Sequence, residues 1–501
     1  MPRDEPAPMQ RLADLLHALP DLPASVEAGE ATLVTGLTAD SRAVGPGVLF
    51  AALPGSRADG RAFIAEAVAK GAVAVLAPLG TEWPAGTPRV PLITATDPRA
   101  ALARLAAAFH GAQPAVAVAV TGTNGKTSTV DFLRQLWSHA GVRAASLGTL
   151  GLVAEGFAPG PSLTTPDPVA LHAQLAALAR GGVTAVALEA SSHGLDQRRL
   201  EGLRLTAAGF TNLTRDHLDY HGSFEAYRAA KLRLFDTLLP PGGTAVVNAD
   251  MEATTLEALR GIADRGLRLI SVGEAGEEVR LLAQTPRAEG QELEVMLFGA
   301  RQQIRLRLPG RFQADNVLMA AALGIVTGLP EARVLAALPQ LAGVRGRMER
   351  AAVLPNGAAV YVDYAHTPDA LERLLLALRP HVAPGARLVV LFGAGGDRDP
   401  GKRPLMGAAA ARHADLVWVT DDNPRSENPA AIRAAVLAGC PGGRDGGTRE
   451  AAIASALNDL GPGDVLAVAG KGHESGQTIG TETLPFDDVA VVRALVEGAL
   501  A

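Results

Sequence analysis

From about residue 114 onward, short apolar runs alternate with Gly-rich or polar turns and then with amphipathic stretches. Apolar runs at 115–121, 183–189, 206–212 and 244–248 predict strands, and the patterns at 126–140, 168–181 and 224–238 predict helices. Such alternation builds a mostly parallel sheet with helices on both faces. Residues 278–308 read as β-hairpins, "DNVLMAAALGIVTGL" as a helix, and "LAGVRGRMERA" as a linker. A second α/β alternation starts near 350, with strands expected at 358–363, 387–393, 415–420 and 464–469. Residues 1–113 hold short strands and helices around "LTADSRAVGPGVLFAALPG". An α/β chain of three domains, 1–113, 114–345 and 346–501, is expected.

The polar clusters follow that pattern. "TGTNGKT", "EASSHG" and "TNLTRDHLDYHG" each come directly after an apolar run of the central part. "DYAHTPD", "GAGGDRDPGKRP", "DDNPRSENP" and "GKGHESGQ" do the same in the C-terminal part. Parallel α/β sheets bind ligands outside the carboxyl ends of their strands. The clusters therefore fall on two ligand-binding sheet edges, expected to face one cleft.

Composition narrows the class. A chain of 501 residues exceeds one hydrophobic core, and 48% apolar residues argue against disorder. A net charge of −6 does not favour a nucleic-acid partner. No run approaches the ~20 apolar residues of a spanning helix, so no membrane partner is expected. "MPRDEPAPMQRLADLL" lacks the basic start and apolar core of a signal peptide. Cys440 is the only cysteine, which suits a reducing compartment. A cytoplasmic monomer is expected. Of 46 basic residues only Lys70, Lys126, Lys231, Lys402 and Lys471 are lysine. In a chain drifted to arginine, a retained lysine marks a place where a compact or titratable amine is needed. Lys70, before a helix-ending Gly, reads as an ordinary last-turn residue; the other four lie in or beside the motifs.

"GTNGKT", between a strand and a helix, reads as a phosphate loop for ATP. Gly122 and Gly125 let the backbone N–H groups, including those of Thr123 and Asn124, turn toward an anion at a helix N-terminus. Lys126 is placed on the β/γ-phosphates and Thr127 on Mg²⁺. Val120 stands where the usual eight-residue pattern has its first Gly.

The shortened loop, with "EASSHG", "DHLDYHGSFEAYRAAK", "DYAHTPD", "GAGGDRDPGKRP", "DNPR" and "AGKGHE" in that order, resembles the Mur ligases over about residues 30–490. The resemblance implies a UDP-substrate domain, a central P-loop-type ATPase domain and a C-terminal Rossmann-like domain that brings an amino acid. It implies phosphorylation of a carboxylate by ATP, then attack of an amine on the acyl phosphate. Glu189 and His217 match the family's metal-side residues. Lys231 matches its carbamylated lysine, formed with CO₂ as N6-carboxylysine and facing Mg²⁺. Lys126, Glu189, His217 and Lys231 are thus the implied catalytic set. Asn316, Arg347, Asp363 and His366 match further ATP contacts. Gln313 replaces the first of two family asparagines. The nucleotide-sugar peptide is implied along Ser41, Arg42, Thr164, Thr165, Ser191, Gln197 and Arg199. Read alone, "DSR" and "TTPDP" are ordinary capping and turn sequences.

The incoming amino acid is assigned to Arg398, Asp422, Asn423, Arg425, Gly470 and Glu474. Two arginines on adjacent loops suit carboxylates, and Glu474 suits an ammonium. With "DNPR", the resemblance implies addition of meso-diaminopimelate to UDP-N-acetylmuramoyl-L-alanyl-D-glutamate (UDP-MurNAc-L-Ala-D-Glu), with L-lysine or L-ornithine as the alternative amine. A P-loop phosphotransferase would explain "GTNGKT" but not Lys231, "DNPR" or "GKGHE". A folylpolyglutamate-type ligase is opposed by the "DSR", "TTPDP" and "SSHG" series.

Overall fold

The structure, a computed structural model, describes residues 9–19, 32–55, 58–158, 160, 163–287 and 290–500. Residues 1–8, on which the reading of the N-terminus partly rests, lie outside them. The chain divides into two compact units. One comprises Met1–Lys126, Leu133–Ile270 and Ala322–Leu329; the other comprises Thr127–Phe132, Ser271–Ala321 and Pro330–Ala501.

The first unit holds two largely parallel sheets and a short antiparallel pair, Gln10–Arg11 with Leu33–Val34. The N-terminal sheet orders Gly36–Thr38, Val48–Ala51, Ala74–Pro78 and Leu92–Ala95, all parallel. Side chains alternate between two cores, as the period of two requires. Leu49, Ala51, Ala74 and Leu76 enter one, and Phe50, Ala52, Val75 and Ala77 the other. In the second sheet Thr244–Asn248, Ala207–Phe210, Val116–Thr121, Ala185–Glu189 and Ala144–Gly148 lie side by side in parallel. Burial on both faces explains their near-continuous apolar character. Val116–Thr121 is central, with Glu189 opposite Val120 and Phe210 opposite Thr121. The loops after those two neighbours therefore flank the phosphate loop.

The strand Ala144–Gly148 and its antiparallel edge partner Gly151–Ala154 were not legible in the sequence. "AASLG" is too small in side chain to carry a strand pattern; pairing with Ala185–Glu189 makes it one. The stretch expected as one helix at 224–238 is an α-helix only over Phe224–Arg233, and widens to a π-turn over Leu234–Leu238. Such widenings are frequent at functional sites, and Lys231 lies in the last α turn.

In the second unit, Val279–Arg287, Gly290–Leu297 and Ala300–Leu306 form the expected antiparallel hairpins. The C-terminal sheet orders Glu349–Val353, Ala359–Asp363, Val465–Ala469, Leu388–Phe392, Leu416–Thr420 and Arg444–Gly447. All neighbours are parallel except the first pair. Tyr361, Val390, Phe392 and Ala467 face one core, and Val360, Val362, Leu391 and Leu466 the other. The expected linker is thus partly a strand. Glu349–Val353 pairs antiparallel with Ala359–Asp363. As an edge strand it keeps polar residues on its open side, which hid its periodicity.

Four helices start alike. Asp97, Asp167, Thr367 and Asn428 accept backbone N–H groups of the first turn, each followed by a proline at the first helical position. The side-chain oxygen satisfies an orphan donor, and proline has no N–H to lose there.

Candidate active site

The phosphate loop is built as the chain pattern demands. Gly122 has φ 145° and Gly125 φ 85°, conformations that side-chain-bearing residues rarely adopt. The helix Lys126–His139 begins immediately after. The flanking loop braces the turn: Thr211 Oγ1 donates to the Asn124 carbonyl at 2.6 Å, and Asn212 Oδ1 accepts from Asn124 N at 2.9 Å. Thr123 Oγ1 donates to Thr214 O at 3.1 Å and lies 3.0 Å from the Tyr227 hydroxyl. Thr127 is buried in the first helical turn.

Two lysines converge here. Lys126 Nζ donates to Gly122 O at 2.8 Å and Thr123 O at 2.9 Å. Lys231 Nζ donates to the same Gly122 O at 2.8 Å, lies 4.6 Å from the Tyr227 ring centre and is 1% exposed. Burial first, then the Lys126 charge, pushes the Lys231 amine well below the usual lysine range, against a smaller opposing effect of Asp216. Desolvation disfavours an ammonium and favours a neutral, nucleophilic amine.

Glu189 ends its strand with a buried carboxylate that accepts from Thr149 N at 2.7 Å and Thr149 Oγ1 at 3.2 Å. From there a polar chain runs through the expected substrate residues. Thr149 Oγ1 lies 3.2 Å from Thr164 Oγ1, and Thr165 Oγ1 donates to Glu189 O at 2.9 Å and lies 2.9 Å from Ser191 Oγ. Arg199 donates to Thr165 O at 2.6 Å and to Gln197 Oε1 at 2.7 Å. Ser191 also caps its own short helix by accepting from Gly194 N at 3.0 Å. Thr164, Thr165, Ser191, Gln197 and Arg199 are thus brought together.

His217 and the "DSR" residues stand apart from that chain. His217 has φ 50°, is half exposed, and packs its ring 5.0 Å from that of His193. Among the described residues, no group of three or more His, Cys, Asp or Glu is placed to hold a metal ion. Ser41 and Arg42 occupy an exposed turn closed by Asp40, whose carboxylate takes Arg42 Nε at 2.9 Å and its Nη2 at 2.8 Å. Lys70, read as an ordinary helix-end residue, donates to Ser41 O at 3.0 Å as well as to Glu66 at 2.6 Å.

In the second unit, Gln313 is fully buried and donates to Arg347 O at 3.2 Å, with Asn316 buried one turn on. The longer amide therefore reaches the backbone of Arg347. Arg347 lies over the Tyr364 ring at 4.8 Å. Asp363 accepts from Met348 N and Ala365 N, both at 2.8 Å. Burial pushes its carboxyl up, opposed by the Arg347 charge and these N–H groups. His366 Nδ1 is 2.9 Å from Tyr364 O, and Lys402 Nζ donates to His366 O at 3.1 Å.

Of the residues expected to receive the amino acid, Asn423 and Glu474 are joined directly and Gly470 lies beside Asp422, which leaves a gap between the two pairs. Asn423 Nδ2 donates to Glu474 Oε2 at 3.0 Å, and Asn423 Oδ1 accepts from Thr478 N at 2.9 Å. Gly470, at φ 115°, turns the chain beside Asp422, where a Cβ would lie 3.2 Å from Oδ2. Arg425, at φ 51°, donates to Gly396 O at 2.7 Å. Arg398 is exposed. Sequence reasoning missed Tyr227, Thr211 and Asn212, whose roles arise only when two strand ends meet. It also missed the wholly buried pair of Arg449 Nε and Asp488 Oδ1 at 2.7 Å; Arg449 further donates to Ala469 O at 2.9 Å, beside Gly470.

The phosphate loop lacks its usual first glycine, and a buried lysine shares the Gly122 carbonyl with Lys126. The chain belongs to the Mur ligase family. The family's catalytic domain model matches residues 33–110, its middle domain 120–324, and its glutamate ligase domain 346–472. Among its relatives is the UDP-N-acetylmuramoyl-L-alanyl-D-glutamate--2,6-diaminopimelate ligase of Caulobacter vibrioides, 55% identical across 93% of this chain and 96% of that protein. The enzyme of the same name from Bradyrhizobium diazoefficiens is 52% identical across 95% and 98%. A solved structure of a ligase with that name aligns over 97% of this chain and 99% of its own, at 31% identity and a TM-score of 0.73. Among the described residues no helix is long and apolar enough to cross a membrane.

Proposed function

We propose that the protein is an ATP-dependent ligase that joins meso-2,6-diaminopimelate to UDP-MurNAc-L-Ala-D-Glu in peptidoglycan synthesis. The observation that carries this reading is Lys231, a buried amine sharing the Gly122 carbonyl with Lys126. Support for the substrates comes from relatives of 50% identity and above that carry this activity in their name.

The carboxylate is a poor electrophile until it is phosphorylated, and negative charge crowds at the transferring group. Lys126 and the loop N–H groups bind the ATP phosphates and offset that charge. The Lys231 amine, in its neutral form, adds through nitrogen to CO₂ and releases one N–H proton to solvent, becoming an anionic carbamate. Thr127, Glu189 and that carbamate offer oxygen atoms, the donors a hard cation such as Mg²⁺ prefers, and His217 is the remaining candidate ligand. Mg²⁺ bound there would supply further charge neutralisation at the γ-phosphoryl group. Thr164, Thr165, Ser191, Gln197 and Arg199, with Ser41 and Arg42, hold the nucleotide-sugar peptide. Asn316, Arg347, Asp363 and His366 serve the nucleotide. Arg398, Asp422, Asn423, Arg425, Gly470 and Glu474 receive the amino acid, whose amine attacks the acyl phosphate and releases phosphate. The roles divide by domain: UDP-substrate binding in 1–113, ATP chemistry in 114–345 and amino-acid delivery in 346–501. The reading makes the enzyme cytoplasmic and monomeric.

The test is phosphate release with UDP-MurNAc-L-Ala-D-Glu and each of three amines. Release is expected only with acid and amine together. If Arg425 or Arg398 takes the distal carboxylate, L-lysine leaves that guanidinium without its partner, so diaminopimelate is preferred by roughly a hundredfold or more. Faster turnover with lysine or ornithine overturns the amine assignment, and release with neither acid nor amine overturns the ligase reading.

A further inference from the structure

The gap in the amino-acid group is filled by a residue that none of the expected contacts includes. Lys471 follows Gly470 and precedes Gly472, both with positive φ, 115° and 52°. Only glycine takes such turns freely, and between them the lysine side chain is directed inward to 0% exposure. Its Nζ donates to Asn423 Oδ1 at 3.1 Å and to Glu474 Oε2 at 3.1 Å, and lies 3.6 Å from Asp422 Oδ1. Asn423 Nδ2 closes the ring onto the same Glu474 Oε2.

We propose that Lys471 is a positioning residue for the incoming amino acid. Its buried ammonium ties Asn423, Glu474 and Asp422 into one geometry and uses Glu474 Oε2. Glu474 Oε1 has no hydrogen bond among the described residues, so it is left to receive the substrate ammonium. Lys471 itself does not touch substrate. A guanidinium is planar and larger, and does not fit a pocket closed on three acceptors, which explains a lysine here in an arginine-rich chain. The proposal rests on reading this cluster as the amino-acid site.

Lys471→Met and Glu474→Gln are each assayed for the KM of diaminopimelate, UDP-MurNAc-L-Ala-D-Glu and ATP. Lys471→Met is expected to raise the diaminopimelate KM roughly tenfold to a hundredfold, the scale of a lost charged hydrogen bond, and to move the other two less than about twofold. An unchanged diaminopimelate KM, or an equal rise in all three, overturns the proposal. If Glu474→Gln also leaves that KM unchanged, the reading of the cluster fails instead. Because an unpaired buried cluster can prevent folding, lysine side-chain NMR on the unaltered chain gives a second readout. Five lysines yield few signals, assigned by converting the other four to arginine singly. With nucleotide substrate and a non-hydrolysable ATP present, adding diaminopimelate should shift the Lys471 signal; no shift at saturation overturns the proposal.

Discussion

At Lys231, burial and a neighbouring charge act in the same direction, and both lower the cost of a neutral amine. The sequence marked this residue through its rarity among arginines, but rarity says nothing of protonation. Nor could it reveal that Lys126 and Lys231 share one carbonyl, because they are 105 positions apart. The chemistry predicts that Lys231→Ala lowers turnover by about a hundredfold or more, the scale of one lost electrostatic contact to a transition state. A short carboxylic acid such as formate should restore part of it, since the missing group is an anion. The check is phosphate release in rising formate, with far-UV circular dichroism to confirm an unaltered fold. A variant as active as the parent, or one that no carboxylic acid rescues, contradicts the carbamate role.

Among elements, the helices were the most legible, because their signals are local. "TTPDP" carries two messages. Asp167 accepts from Val169 N and Ala170 N at 3.0 Å each and starts the helix Pro168–Arg180, while Thr164 and Thr165 join the polar chain at Glu189. Capping and binding thus divide between neighbouring residues of one motif. Asp167→Ala should therefore cost about 1 kcal/mol of stability, as a lost N-cap does, with the amino-acid KM unchanged. Urea unfolding and steady-state kinetics measure the two separately. A loss well above that scale would mean that Asp167 holds more than its helix. Strands were less legible where side chains are small or one face is open. Ala144–Gly148 and Glu349–Val353 are strands because of what lies beside them, and pairing partners are not a local property.

On the scale of the whole chain, non-local contacts decide how the C-terminal segment is held. Arg449 and Asp488 are both 0% exposed at their side chains, and Asp488 begins the last helix, Asp488–Leu500. Removing one partner leaves a buried charge without compensation. Asp488→Ala should therefore destabilise the protein by about 3–5 kcal/mol, whereas replacing both residues with apolar ones of similar volume should cost far less. Chemical denaturation of the single and double variants checks this. If the double variant is as damaged as the single, the pair contributes through shape rather than charge.

The class of this protein is written along the chain: α/β alternation, a phosphate loop between strand and helix, and motifs in the order of the Mur ligases. Each of those signals depends on neighbours within a few residues, so each is written locally. Which strand ends adjoin, and hence that Thr211, Asn212 and Tyr227 brace the loop, follows from the folded arrangement alone. The same arrangement puts Lys231 on the Gly122 carbonyl and Lys471 among Asp422, Asn423 and Glu474. Burial and charge proximity are properties of packing between distant segments, and they, rather than residue type, set whether a lysine is a solvated cation, a neutral amine or a buried clamp.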